Sequence, residues 1–349
     1  PFNIGIVLGS SQFGYFYWTS DGGLWDNQPV QANLNNELAD WTTPIEGCMV
    51  EPYTVYAGFE NVVRSFDEGL SWESTGYLNG NYTPINALSV APSNCDILYA
   101  CKRLNYLNNI PSAIFRSDDG GQSWIEQTAN LPDSLFFSSV AVSPLNSNKV
   151  ALSIAAFSEG QKVYTSSDGG LTWTNSSFNL PDVPVNMLKY LPASNDLLAA
   201  TDAGVFVLRN GESTWYDESL GLPNVIVSDI EINEAANKIY VSTFGRGIWA
   251  TDLNLLLSQA SAKHCKPNVL IKPLNASSFE IDWSANECIN SFQTVDVYDI
   301  KGRLILSEKL NGLNHQLNLS GRNAGVYFGR LSSSENASYS FKLLKADNH

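Results

Sequence analysis

One nine-letter phrase returns three times along the chain: RSFDEGLSW ending at Trp72, RSDDGGQSW ending at Trp124 and TSSDGGLTW ending at Trp173. Each reads Ser-x-Asp-x-Gly-x-Ser/Thr-Trp, with Asp67 and Gly69, Asp119 and Gly121, and Asp168 and Gly170 at the fixed positions. A shortened copy, TSDGGLW, places Asp21 before Trp25, and RNGESTW reaches Trp215 with Gly211 in place of the acid. The tryptophans at 25, 72, 124, 173 and 215 are therefore 47, 52, 49 and 42 residues apart. A period near fifty means that one supersecondary unit is built repeatedly, and that its copies bury their faces against each other.

Apolar alternating runs keep phase with these turns: ALSVAPSNCDILYA, VAVSPLNSNKVALSIAA, MLKYLPASNDLLAA and DIEINEAANKIYVSTF. The linkers NLPD at 130–133, NLPD at 179–182 and GLPN at 221–224 separate the units. Each unit reads as strand, turn, strand, turn, strand, polar hairpin, strand. Four short antiparallel strands per repeat is the pattern of a propeller blade, so the expected fold is all-β, with a β-propeller over residues 1–253. Six units fall around residues 1–30, 44–76, 84–127, 136–176, 184–217 and 225–252, the first without its innermost strand and the last ending after three. Closure would take the missing outer strand from elsewhere, commonly from the N-terminal segment; six, seven or eight blades are compatible with the pattern. The chain opens on Pro1 with no charged-then-apolar leader, and further upstream sequence is the expectation.

The turn chemistry is local. An Asp carboxylate accepts nearby backbone N–H groups, Gly takes positive φ without steric cost, and the Ser/Thr hydroxyl adds another partner. One carboxylate per turn is too few for a calcium site of six to eight oxygens. The phrase resembles the Asp-box, or bacterial-neuraminidase repeat, whose role is structural and lies away from the catalytic face. The ending FGRGIW at 244–249 resembles the last blade of xyloglucanase-like and sortilin-like propellers.

After Leu253 the pattern changes. Residues 254–267 read as a linker, and residues 268–349 as a small antiparallel, immunoglobulin-like sandwich. Val295 and Val297 share one strand face, Leu317 and Leu319 another, and Gly302 marks a turn. The order Val297-Tyr298-Asp-x-x-Gly302-Arg303, then Leu-x-Leu319-Ser, then Ala-Gly325-Val-Tyr327-Phe, then Lys342-Leu-Leu-Lys345 resembles a type A C-terminal sorting domain of the type IX secretion system of Bacteroidetes. That resemblance implies recognition by the translocon and its outer-membrane shuttle protein, and removal by a cell-surface sorting peptidase. It also implies a cargo that is secreted or held at the surface. Gly321-Arg322-Asn323 departs from the pattern, where a more apolar residue is expected before Ala324.

Composition narrows the partners. The net charge is −15; residues 1–262 hold 10 Lys+Arg against 27 Asp+Glu, while residues 263–349 hold 10 against 8. So acidic a body excludes nucleic acid and anionic membrane surfaces as partners. No run of about 18 apolar residues marks a transmembrane segment. The five cysteines show no CxxC pair and no zinc spacing. Cys95 and Cys101 lie on one strand, roughly 20 Å apart, and do not bridge. Cys265 and Cys288 are the candidate disulfide, with buried thiols as the alternative.

The catalytic motifs are thin. A sialidase needs clustered arginines, and the propeller has only Arg64, Arg103, Arg116, Arg209 and Arg246, two of them directly before turns. A xyloglucanase-like hydrolase needs two carboxylates in one cleft; Asp229 stands at a suitable strand start, where a solvated acid is the plainer reading. All three histidines, His264, His315 and His349, lie outside the propeller. Candidate ligand contacts are Lys102, Arg103 and Tyr106 in the inserted loop YACKRLNYLNNIP. The run FGYFYW, with Tyr15, Tyr17 and Trp18, reads mainly as blade core. No cofactor or metal is expected. The reading is an exported surface propeller that binds a glycan or protein without catalysis. Part of a polysaccharide hydrolase and an architectural module are the alternatives.

Overall fold

The computed structural model describes residues 5–23, 28–78, 83–132, 134–219, 221–222, 225–253, 269–283, 292–300, 302–332 and 338–346. The chain divides into two units, Pro1–Leu257 and Ser258–His349.

The first unit is a succession of antiparallel sheets in chain order. Blade 1 holds β1 (Val7–Ser11), β2 (Tyr15–Thr19) and β3 (Gln28–Val30). Blade 2 holds β4 (Ile45–Gly47), β5 (Val55–Gly58), β6 (Val62–Ser65) and β7 (Glu73–Ser74). Blade 3 holds β8 (Ile85–Ala91), β9 (Asn94–Lys102), β10 (Ala113–Ser117) and β11 (Ile125–Glu126). Blade 4 holds β12 (Phe137–Val142), β13 (Val150–Ile154), β14 (Val163–Ser166) and β15 (Thr174–Asn175). Blade 5 holds β16 (Val185–Tyr190), β17 (Leu197–Thr201), β18 (Gly204–Leu208) and β19 (Trp215–Asp217). Blade 6 stops after β20 (Val227–Asn233), β21 (Lys238–Thr243) and β22 (Gly247–Asp252). Each sheet is a meander, and together they form a β-propeller.

The core is a series of layers between successive blades. Tyr99 and Ile114 of blade 3 pack with Val140 and Leu152 of blade 4, and Val205 and Val207 of blade 5 pack with Ile230 and Val241 of blade 6. This explains why β13 (VALSI) and β17 (LLAAT) are buried at every residue: a blade lies on each face, so apolar runs replace alternation.

A second device recurs at the inner strands. β8, β12, β16 and β20 each bulge at their second residue, and a bulge re-aims the side chain it frees. Asn86 Nδ2 donates to Phe137 O at 2.6 Å, Ser138 Oγ to Val185 O at 2.6 Å and Asn186 Nδ2 to Val227 O at 2.9 Å, each on the next blade. Ser228, at the same place in the last blade, bonds Ser242 of its own sheet. Cys48, just after β4, forms a disulfide with Cys95 on β9, Cα to Cα 5.6 Å, tying blade 2 to blade 3. This pair was not expected from spacing; Cys101 is a buried free thiol, and the candidate pair Cys265–Cys288 lies outside the described residues.

The second unit is a sandwich. One sheet runs β23 (Leu270–Pro273), β24 (Ser278–Asp282), β27 (Asn314–Asn318). The other is ordered β26 (Leu304–Lys309), β25 (Thr294–Asp299), β28 (Gly325–Ser332), β29 (Ser338–Lys345). Val295, Val297, Leu317 and Leu319 meet in its core, as their alternation predicts, beside Trp283 and Phe292.

Candidate functional site

The repeated turns share one network. Ser65 Oγ donates to Asp67 Oδ1 at 2.8 Å and accepts the N–H of Asp67 and of Gly69; Asp67 in turn accepts the N–H and hydroxyl of Ser71. The bonds recur around Asp119 and Asp168 within 0.1 Å. Thr19, Asp21 and Gly23 keep its first half. The serine hydroxyl and the aspartate carboxylate of each full copy are thus spent inside the turn. Hydrogen bonds from Thr172 and Ser166 hold the Asp168 carboxyl at about 2, below the usual carboxylate range. At Asp67 and Asp119 the same bonds overcome the upward push of burial.

The tryptophans do more than cover their own turns. Trp72 Nε1 donates to Gly69 O, within its own turn. Trp173 and Trp215 instead donate to Gln127 O and Ser176 O, each on the preceding blade. Arg64 and Arg116, one residue ahead of the motif, reach the other way. Arg64 Nη1 donates to Gly120 O at 3.2 Å, and a Cβ on Gly169 would collide with Arg116 Nη1.

Antiparallel order puts these turns and the first-to-second strand turns at one end of the blades, and the remaining connections at the other. Both ends are stitched. Glu68, Gly120 and Gly169 donate to Tyr53 O, Asp96 O and Asn148 O at the turn end; Gly58, Arg103 and Ala155 donate to Pro44 O, Pro84 O and Phe136 O at the loop end.

The inserted loop of blade 3 lies at the loop end, closed by an Asn105–Ile110 bridge. Its two cations are not the free contacts expected of them. Lys102 is 2% exposed, with Nζ donating to Leu78 O, because its position continues the buried β9; Arg103 is paired with Asp40 at 2.7 Å. Tyr106 remains open at 76% exposure. Nearby loops expose Trp41 at 60% and Phe13 at 55%, packed edge to face at 5.3 Å. In FGYFYW, Phe16 and Trp18 are core while Tyr15 and Tyr17 face solvent.

Along the inner strands, Asp229 is not a solitary solvated acid. Lys189 Nζ meets Glu231 Oε1 at 3.0 Å, and both share electrostatic reach with Asp229 and with Glu46 on β4. Burial, reinforced by Glu231 and Asp229 against Lys189, pushes Glu46 up to about 7. Burial and Glu231 also raise Asp229. Sequence reasoning missed Glu46: nothing in IEGC shows that its carboxyl comes within electrostatic reach of Lys189, Asp229 and Glu231.

In the second unit, Val297, Leu319 and Lys345 are buried, and Tyr327 donates its hydroxyl to Asn323 O at 2.7 Å. Tyr298 is half-buried. Gly302, at φ +75°, closes a hairpin in which Asp299 accepts from Arg303, and Gly325 sits at φ +150°. Lys342 alone among the motif's two lysines is exposed. Most of the motif therefore builds the sandwich.

Residues 275–346 match the family model of the secretion system C-terminal sorting domain. No curated protein matches the chain by sequence. In fold, it is similar to the GH74 xyloglucanase of Xanthomonas campestris, with TM-score 0.54 and 14% identity over 94% of this chain and 56% of that one. It is likewise similar to a chain of the COPII outer coat vertex, with TM-score 0.54 and 12% identity over 82% of this chain and 80% of that one. The GH74 enzyme of Niastella koreensis aligns at TM-score 0.49 and 17% identity over 70% of this chain and 41% of that one. The chain thus spans about half the length of the GH74 enzymes it matches. At such identities the likeness concerns fold alone. The chain is a β-propeller joined to a type IX secretion-system C-terminal sorting domain, which addresses it through the outer membrane for secretion or display at the cell surface.

Proposed function

We propose that the propeller of this exported protein is a non-catalytic binding module whose ligand, a glycan, docks on the loop end. The observation that carries this reading is the exposed Phe13–Trp41 pair, with Tyr106 open on the inserted loop and the Asp40–Arg103 ion pair joining the two segments. Aromatic faces and a polar handle are what sugar rings stack on and bond to. The motif turns, read as Asp-boxes, are staples of the scaffold. The sorting domain engages the translocon, the outer-membrane shuttle protein and the sorting peptidase.

The test exposes the full chain to plant, algal and host-type polysaccharides, following melting temperature and reducing-end release together. A melting shift without release, lost in Trp41→Ala, is the expected result; no shift with any polysaccharide would sink the reading. A second reading, a polysaccharide hydrolase, is favoured by one observation: Glu46 lies within electrostatic reach of Asp229 and Glu231, and its carboxyl, raised to about 7, keeps a share of its protons near neutrality, as a general acid requires. Reducing-end release abolished by Glu46→Gln would establish that reading instead.

A further inference from the structure

In blades 2 and 3 the residue ahead of the motif is Arg64 or Arg116, and each fills the space beside the next blade's turn. Arg64 is held by Glu73 at 2.7 Å and Gly120 O; Arg116 by Asp118 at 2.6 Å and the Tyr99 hydroxyl at 2.9 Å. Blade 4 abandons the set. Thr165 stands for the arginine, Thr174 for Glu73 and Ser167 for Asp118, while Ala151, across from Thr165, stands for the tyrosine. Charge has been exchanged for hydroxyls, and a large pair for a small one. Counted from Trp215, Gly211 of blade 5 takes the place of Gly120 and Gly169, and Asn210, not Gly211, that of the acid; unlike those two glycines, Gly211 has nothing within 4 Å of where a Cβ would be.

The vacated space is a cavity of about 210 Å³ between blades 4 and 5, lined by Thr165, Ser167, Thr174, Phe178, Tyr190 and Lys149 among others. One polar group there is unspent: Tyr190 is only 5% exposed, and its hydroxyl has no hydrogen-bond partner. A buried orphan hydroxyl costs stability unless something completes it. Lys149 Nζ is 2.8 Å from Asn210 Oδ1 and 5.5 Å from the centre of the Tyr190 ring. Arg209, at the inner wall, is neutralised by Asp196 and Glu218. Phe178 presents an exposed ring from a left-handed backbone, φ 42°, a conformation rare for a bulky residue.

We propose that this cavity is a binding site for one neutral polyhydroxylated ring, a single monosaccharide unit. The lining is rich in hydroxyls, and its charged groups are already engaged, Arg209 by Asp196 and Glu218, Glu212 by the Tyr216 hydroxyl and Lys149 by Asn210, which favours a neutral ligand over an ionic one. Phe178 supplies a ring face for the apolar side of a sugar. The volume is below the roughly 300–1,000 Å³ of sites for drug-sized ligands, and it suits a single ring. The site lies at the turn end of the blades, away from Trp41 and Tyr106, and does not depend on the loop-end reading.

Full-length protein is titrated with free glucose, galactose, mannose, xylose and N-acetylglucosamine, followed by saturation-transfer NMR and calorimetry. At least one sugar binds the wild type. Tyr190→Phe, which removes only the orphan hydroxyl, weakens that binding about tenfold, roughly the worth of one buried hydrogen bond, without lowering the melting temperature. Thr165→Arg restores the side chain of blades 2 and 3 and abolishes binding; should it fail to fold, Tyr190→Phe decides alone. Trp41→Ala leaves this binding intact, which separates the two sites. No binding by any of the five sugars, binding unchanged in Tyr190→Phe, or binding of inorganic phosphate in their place overturns the proposal.

Discussion

At the scale of single residues, the serine that opens each motif turn carries more of the structure than the aspartate that gives the motif its look. Ser166 is buried, donates to Asp168 and accepts two backbone N–H groups, whereas Asp168 stands at the surface. Ser166→Ala leaves the buried Gly170 N–H without its acceptor and is expected to cost about 1–2 kcal/mol in urea unfolding. The aspartate adds a pH dependence whose sign follows from its low pKa. Its carboxyl, held at about 2 against an ordinary 3.8, contributes stability above pH 4 and loses it as pH falls from 4 to 2. Thermal melts across that window should therefore show a shallower acid loss in Ser166→Ala than in wild type.

At the scale of elements, blades are joined by apolar layers, bulge side chains, tryptophan indoles, the arginine ahead of the motif and, between blades 2 and 3, a disulfide. Blade 2 needs the last most. Its inner strand is three residues long, without the bulge of its neighbours. The Cys48–Cys95 bond closes a separation of 47 residues, for which loop entropy gives an upper value of about 4 kcal/mol. Cys48→Ser with Cys95→Ser should lower stability by about 2–4 kcal/mol, read by calorimetry with and without reductant, while Cys101→Ser leaves the reductant response unchanged. A disulfide also accords with a protein whose destination lies beyond the reducing cytosol.

At the scale of the whole propeller, Glu46 reports on how the inner strands converge. Its carboxyl ionises at about 7 against an ordinary 4.5, so the folded state binds the proton more tightly than the unfolded chain. Stability then falls as pH rises from 4.5 to 7 and levels off above. Glu46→Gln removes that loss: the variant should match wild type near pH 4.5 and exceed it above pH 7. The gain is about 1–2 kcal/mol, below the full ~1.4 kcal/mol per unit because the side chain is half-buried. An unchanged pH profile would mean that Glu46 is neither buried nor within electrostatic reach of Asp229 and Glu231. Blade 6 ends on β22, exposed along nearly its length and with no fourth strand among the described residues.

Much of this was legible without coordinates, because it is periodic. A turn that satisfies its own polar groups folds the same way in each copy, so the blade limits and the core faces of β25 and β27 could be read from spacing, while the sorting domain was legible through the family its ordered motifs resemble. What periodicity cannot show is which side chains meet between copies. Cys48 and Cys95 belong to different repeats, Lys102 reads as a loop cation until β9 carries it inward, and Glu46 comes within electrostatic reach of Lys189, Asp229 and Glu231 only in the folded propeller. The exchange of Arg for Thr165 is visible in the sequence as one letter. Only the packing of blade 4 against blade 5 turns it into a cavity, because a missing side chain leaves space only where a neighbour does not move in to fill it.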